Sequence, residues 1–529
     1  MSDNREETGH KTSIRKTPAE GKGSDLKASM SNLVGGRSLS GSDLVDRSLS
    51  TLSKMITNGE ITSENLVALY LERIRKIGGP NGINAYITVA GDAALSQAAK
   101  LDNLAKQKKF KGPLHGLPIA IKDNLDTKDI RTTGGSKILA SWIPPEDARI
   151  VQRLKQAGAI IIGKTNMHEF ALGVTTNNPH YGPSRNPYDL SRIPGGSSGG
   201  SGAAAAAGLC AGAIGTDTGG SIRIPSALCG VVGLKPTLGR VGRGGLIPLS
   251  FSRDCVGPVT RTVMDAAMIL EVIAGEDNRD PESASLPVPR YTALLKGDLK
   301  GKRFGVPKRF ISEVIHPDTQ KVMDESLREM QNLGSVIKEI EIKHMDLAFD
   351  ADFNIVLPEA IYLIENYLKA FDPEATIDKY LDRMGSDVRG LLGGQKGTRE
   401  SEPLPGYMYV KTLRDECEKM KTGFKEAMFG LDGLLLPTTP LPASKIGEDV
   451  ETEISGKKVS IFRTFLRNCN PISIVGYPAI TVPAGYSNIG LPVGLQIVAR
   501  PWEEDKLLSM AYGFEQAARI RKAPVVRMR

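Results

Sequence analysis

The chain has 529 residues, 40% hydrophobic and 24% charged, which is ordinary for a globular protein able to bury a large core. Net charge is +8, yet basic residues are interleaved with acids and only 5% of residues are aromatic, so nothing points to a nucleic-acid surface. Five cysteines (Cys210, Cys229, Cys255, Cys417, Cys469) stand at wide, irregular intervals with no C-x-x-C pair, which offers no zinc pattern and fits a reducing compartment.

Residues 1–40 are rich in Lys, Ser, Gly, Asp and Glu, with too few apolar side chains to offset the entropy of ordering. A flexible N-terminal arm is expected there, followed by one folded domain over 41–529. The N-terminus has no apolar secretory stretch, and the apolar run 203–214 is too short to span a bilayer. A cytoplasmic location without membrane attachment is expected.

Thr62-Ser63-Glu64-Asn65 opens a helix whose apolar residues recur at Leu66, Leu69, Tyr70, Ile74 and Ile77. Leu117–Ile121 reads as a buried strand that puts Lys122 at its C-terminal end. A helix over 147–158 precedes a second strand, 159–163. The alanine run 203–208 reads as a helix fed directly by a glycine-serine loop, and 262–274 as another, stopped by Gly275. This alternation predicts an α/β fold with a sheet covered by helices. From 285 to 430 glycine thins out and charged helical patterns dominate, as in 316–333 and 358–370, so a helical insertion or cap is expected. Core texture returns with 434–440, 477–483 and 492–498.

Histidine is scarce: His10, His115, His168, His180, His316 and His344 are the only six. His115 and His168, near the motifs, are expected to be structural or pocket-wall residues. The interesting base is therefore Lys122. Desolvation lowers a lysine's proton affinity, and a neutral amine accepts a proton from serine. Two serine-bearing glycine clusters follow it, Gly195-Gly196-Ser197-Ser198-Gly199-Gly200-Ser201 and Asp217-Thr218-Gly219-Gly220-Ser221-Ile222-Arg223. Glycine-rich turns let backbone N–H groups converge on an anion. Each segment alone has a blander reading: a solvated lysine, a linker, a phosphate loop.

Together, and with Pro113–Pro118, Gly163–Phe170 and Gly230–Thr237 beside them, these segments resemble the amidase signature family. The resemblance runs over roughly 42–520 and is strongest over 112–260. It implies an α/β fold with a mixed twisted sheet under helices. It implies Ser221 as acylated nucleophile, Ser197 as a bridging serine on a cis peptide, and Lys122 as base. It further implies Thr218, Gly219, Gly220 and Ser221 as oxyanion donors, and Ser198, Asp217 and Arg223 as residues that order the site. Neither a metal nor an organic cofactor is implied. The substrate pocket is expected to draw on Phe170, Gly173, Val174, Thr175 and the 285–430 insertion.

The activity so implied is hydrolysis of a small-molecule carboxamide, an anilide, primary amide or related carbamate. Aryl acylamidase or urethanase activity falls within that range, and family members are often homodimers. The alternative is the A subunit of glutamine-dependent tRNA amidotransferase, which frees ammonia from glutamine inside a multi-subunit assembly. A non-enzymatic scaffold is disfavoured because all three reacting residues are present.

Overall fold

The computed structural model describes residues 41–308, 314–395 and 405–526. The chain divides into two units, Met1–Leu44 and Val45–Arg529. The arm expected over 1–40 lies outside the described residues.

In the second unit eleven strands form one mixed sheet. In chain order they are β1 (Tyr86–Val89), β2 (Pro118–Lys122), β3 (Ile160–Thr165), β4 (Gly212–Asp217), β5 (Val232–Lys235) and β6 (Cys255–Thr260). They continue with β7 (Arg303–Pro307), β8 (Val336–Ile340), β9 (Gly433–Pro437), β10 (Ala479–Tyr486) and β11 (Pro492–Val498). Their order across the sheet is β1-β3-β2-β4-β6-β5-β10-β11-β9-β7-β8. β2 runs parallel to both β3 and β4, and β6 lies antiparallel to β4 and β5. β10 joins the halves, antiparallel to β5 on one side and β11 on the other.

Every residue of β2, β3 and β4 is buried, which is why these strands read as continuous apolar runs rather than alternating ones. The helix Ser63–Ile77 begins where the sequence places it. The Thr62 hydroxyl accepts from Asn65 N–H at 3.1 Å, and Leu66, Val67, Tyr70 and Ile74 form its buried face. α1 (Gly199–Ala206) starts immediately after Ser198 and is buried throughout. α2 (Arg223–Leu228) starts two residues after Ser221.

The stretch 285–430 is not purely helical. It contributes β7 and β8, which extend the sheet to one edge, before α3 (Ala348–Leu368) and the shorter helices that follow. β8 is an edge strand with largely exposed side chains, so its Lys338 and Glu339 give it the texture of a polar helix. α3 buries Val356, Leu357, Ala360, Ile364 and Leu368 against Ile138, Leu139, Met167 and Phe170, which ties the helical stretch into the core. Among the described residues no helix is long and apolar enough to cross a membrane.

Candidate active site

Lys122 is the last residue of β2 and is fully buried. Its Nζ donates to Ser197 Oγ at 2.8 Å and to Thr216 Oγ1 at 2.7 Å. Asn124 Nδ2 also reaches Thr216 Oγ1, at 3.1 Å. Among the described residues no carboxylate lies within ion-pair distance of this lysine. Burial therefore dominates and lowers its pKa to about 7, opposed by the more distant charges of Asp254 and Asp217. The amine is poised to exchange a proton near neutrality.

The first glycine-serine cluster presents Ser197 to that amine. The Gly196–Ser197 peptide bond is cis. A Cβ on Gly196 would come within 2.8 Å of the Val174 carbonyl carbon and 2.9 Å of Thr175 N, so only glycine fits between that backbone and the serine. Ser198 fastens the clusters together. Its hydroxyl donates to Thr216 O at 3.1 Å and accepts from Thr216 N–H at 3.2 Å, while its own N–H donates to Ser221 O at 3.2 Å.

The second cluster is wrapped around Asp217, the last residue of β4. Asp217 Oδ1 accepts from Gly220 N–H at 2.8 Å, and Oδ2 from Ile222 N–H at 3.2 Å. Arg223 closes the cage from the other side, Nη2 to Oδ1 and Nε to Oδ2, both at 2.9 Å. Burial would raise the Asp217 carboxyl, but the Arg223 guanidinium holds it below its ordinary value. The arginine is held in turn by Gln496 Oε1 at 2.8 Å, Ser473 Oγ at 2.7 Å and Cys469 O at 3.0 Å. Gly220 has φ +138°, and a Cβ there would meet Cys469 and Ile224 at 2.7 Å. Ser221 stands at the end of this turn, 7% exposed.

Two details differ from the sequence expectation. The Gly220 N–H, expected among the oxyanion donors, is committed to Asp217. Among the described residues the N–H groups of Thr218, Gly219 and Ser221 make no hydrogen bond, which leaves three amides on the loop for an anion. Second, the Ser197 and Ser221 hydroxyls are not hydrogen-bonded to each other among the described residues. Their link is the Ser198 N–H to Ser221 carbonyl bond, and catalytic hydroxyl contacts commonly tighten only around substrate.

The expected pocket residues separate. Val174 and Thr175 run along the Gly196 side of the first cluster, and Val174 shares an apolar cluster with Leu466 and Cys469. Gly173 lies under the His168 ring, where a Cβ would clash at 2.2 Å. Phe170 belongs to the core cluster beneath α3. The histidines do structural work: His115 accepts from Lys111 N–H and contacts Leu101 O, His168 pairs with Asp387 at 2.7 Å, and His180 with Glu169 at 2.8 Å. All five cysteines are buried and free, and burial pushes the thiol of Cys469, which packs against Gly220, up to about 12. Three residues that the sequence gives no role stand at the site. Thr216 and Asn124 adjoin motif residues and could have been flagged by position. Asp254, whose carboxylate accepts from Thr218 Oγ1 at 2.5 Å, carries no local signal.

Known proteins resemble the chain over most of its length. A family model described as Amidase matches residues 65–508. The A subunit of the Glutamyl-tRNA(Gln) amidotransferase of Moorella thermoacetica is 39% identical over 475 residues, 88% of this chain and 95% of that protein. Among solved structures, the native peptide amidase from Stenotrophomonas maltophilia superposes with a TM-score of 0.79 at 32% identity, covering 90% of this chain and 98% of its own. The A subunit of the Glutamyl-tRNA(Gln) amidotransferase from Thermotoga maritima does so with a TM-score of 0.75 at 30% identity, covering 94% and 100%.

Proposed function

Since the chain belongs to the amidase family, whose members act on carbon–nitrogen bonds, we propose that it hydrolyses a small-molecule carboxamide through an acyl-enzyme on Ser221. Ser221 Oγ attacks the amide carbon as its proton passes to Ser197 Oγ and the Ser197 proton passes to Lys122 Nζ. The carbonyl oxygen, now an anion, meets the N–H groups of Thr218, Gly219 and Ser221. Lys122 returns the proton through Ser197 to the nitrogen, the amine leaves, and water releases the acid by the same relay in reverse. Ser198, Asp217 and Arg223 hold the two serine loops, and Val174 and Thr175 line the approach. The domain doing this is 41–529.

The observation that carries the reading is the 2.8 Å bond to Ser197 from a fully buried Lys122 that has no carboxylate beside it among the described residues. Removing a general base typically costs roughly 10²–10⁴ in rate, and one oxyanion donor roughly 10²–10³.

A second reading makes the amide glutamine and the chain one component of an amidotransferase with partner subunits. Identity favours it, at 39% to the relative so named against 32% to the peptide amidase. TM-scores of 0.75 to that subunit and 0.79 to the peptide amidase do not separate the two, so the comparisons on balance favour this second reading. The purified chain, offered a primary amide, an anilide, an aryl carbamate and glutamine, separates them. Amine or ammonia release from the first three by the chain alone is expected. Turnover of glutamine only, and only with partner subunits added, would replace the first reading with the second. Light scattering on the same sample measures whether the chain is a homodimer.

A further inference from the structure

Two carboxylates act on Lys122, and they are not equivalent. Asp217 is neutralised by direct contact with Arg223. Asp254 is fully buried and, among the described residues, has no cation within ion-pair distance. Burial raises its carboxyl above the ordinary value, opposed by its hydrogen bonds and by Arg243, which acts from farther away and is itself paired to Asp280 at 2.7 Å. The strand register explains its placement. Asp217 of β4 lies opposite Cys255 of β6, so the preceding residue, Asp254, falls beside Thr218. There Oδ1 accepts from Thr218 Oγ1 at 2.5 Å, and Oδ2 accepts from Leu249 N–H at 2.8 Å and Ser250 N–H at 2.9 Å. The remaining contacts of Lys122 are neutral: Ser197 ahead of α1 and Thr216 on β4. Asp123 and Lys164 pair with each other beside β2 at 3.4 Å.

We propose that Asp254 is a positioning residue for the reaction on Ser221: its carboxylate, set beside Thr218 by the β4–β6 register, pins the Thr218 end of the nucleophile loop, and its charge, which has no ion-pair partner among the described residues, acts on Lys122 from a distance. The inference rests on Lys122 being the base. Its physical content is a balance. Burial drives the amine toward its neutral form, and a base made too weak would not draw the serine proton. Asp254 offsets part of that burial without touching the amine, so Lys122 stays free to exchange a proton with Ser197. The same carboxylate sets the first residue of the loop that carries Gly219 and Ser221.

A fluorophosphonate that modifies Ser221 tests this without knowledge of the natural substrate. The inactivation rate of the full chain is measured against pH for the wild type, Asp254→Asn and Thr218→Val, with the adduct located by mass spectrometry. The wild-type rate is expected to rise through about pH 7. Asp254→Asn, which keeps the shape and loses the charge, moves that midpoint down by about one pH unit. Thr218→Val loses the pin and keeps the charge, so its plateau falls about tenfold while its midpoint stays. A merely structural aspartate would lower rates at every pH and leave the midpoint in place; that result overturns the proposal. Should Asp254→Asn fail to fold, a Thr218→Val enzyme as fast as wild type overturns it equally. Failure of the underlying reading looks different: an adduct away from Ser221, or Lys122→Met labelled at the wild-type rate.

Discussion

Lys122 and Lys164 stand at the C-terminal ends of neighbouring parallel strands, are both fully buried, and have contrasting surroundings. In the β2–β3 register Lys164 stands opposite Ile121 and Lys122 opposite Thr165, so the two side chains leave the sheet on opposite faces. Lys164 donates to Leu125 O at 2.8 Å and Thr132 Oγ1 at 2.5 Å, and has Asp123 at 3.4 Å. Among the described residues Lys122 finds only hydroxyls. Burial lowers the proton affinity of both, but Lys164 has an acid beside it that opposes this directly, whereas the acids acting on Lys122 stand off. A buried lysine with a carboxylate neighbour is a strut. One surrounded by hydroxyls is free to serve as the base proposed for Ser221.

The sharpest way to break this contrast is to remove each amine. Lys122→Met, like Ser221→Ala, should lower kcat/KM by about 10³-fold or more while the melting temperature holds or rises, since no ion pair is lost. Steady-state assay and calorimetry on the same preparations check both halves. Lys164→Met should do the converse, because it strands Asp123 in the core. A loss of about 3–5 kcal/mol is expected from urea unfolding, and Asp123→Leu added to it should recover part of that loss.

Acid–base behaviour separates the lysines further. Between pH of about 7 and 10.5 the unfolded chain carries a proton at Lys122 that the folded chain lacks. Stability from this residue therefore rises with pH across that window, and its unfavourable contribution is complete below the window. Urea midpoints measured from pH 7 to 10 should rise less steeply in Lys122→Met than in the wild type. The smallest effect is reserved for the second hydroxyl. Thr216→Val removes one of the two acceptors of Lys122 and should lower kcat/KM about three- to tenfold without changing the melting temperature by more than a few degrees.

Much of the site was legible in the sequence because its residues sit at the ends of elements with strong local signatures. Lys122 ends an apolar strand, Ser198 abuts an alanine-rich helix, and Asp217 ends another buried strand. What escaped was determined by the sheet rather than by neighbours in the chain. Asp254 meets Thr218 only through the β4–β6 register, and Arg223 meets Gln496 of β11 and Ser473 of the short helix Asn470–Ile474 only because the chain returns there to place β10 and β11 next to β5. The strands β7 and β8 were hidden for a different reason: the outermost is solvent-facing and charged, so its alternation carries little apolar contrast. Phe170 shows the limit of reading pockets from proximity, since a residue three positions from Gly173 turns instead into the core under α3.

The clamp on Arg223 also bears on how the enzyme comes into being. Lys122, Ser197 and Ser221 are all translated within the first half of the chain, but the groups that fix the nucleophile loop arrive at Ser473 and Gln496. A nascent chain would expose every reacting residue long before the loop that aims them has its anchor. A chain truncated before Ser473 is therefore expected to carry the whole motif and show no turnover, which an assay of the truncated protein checks.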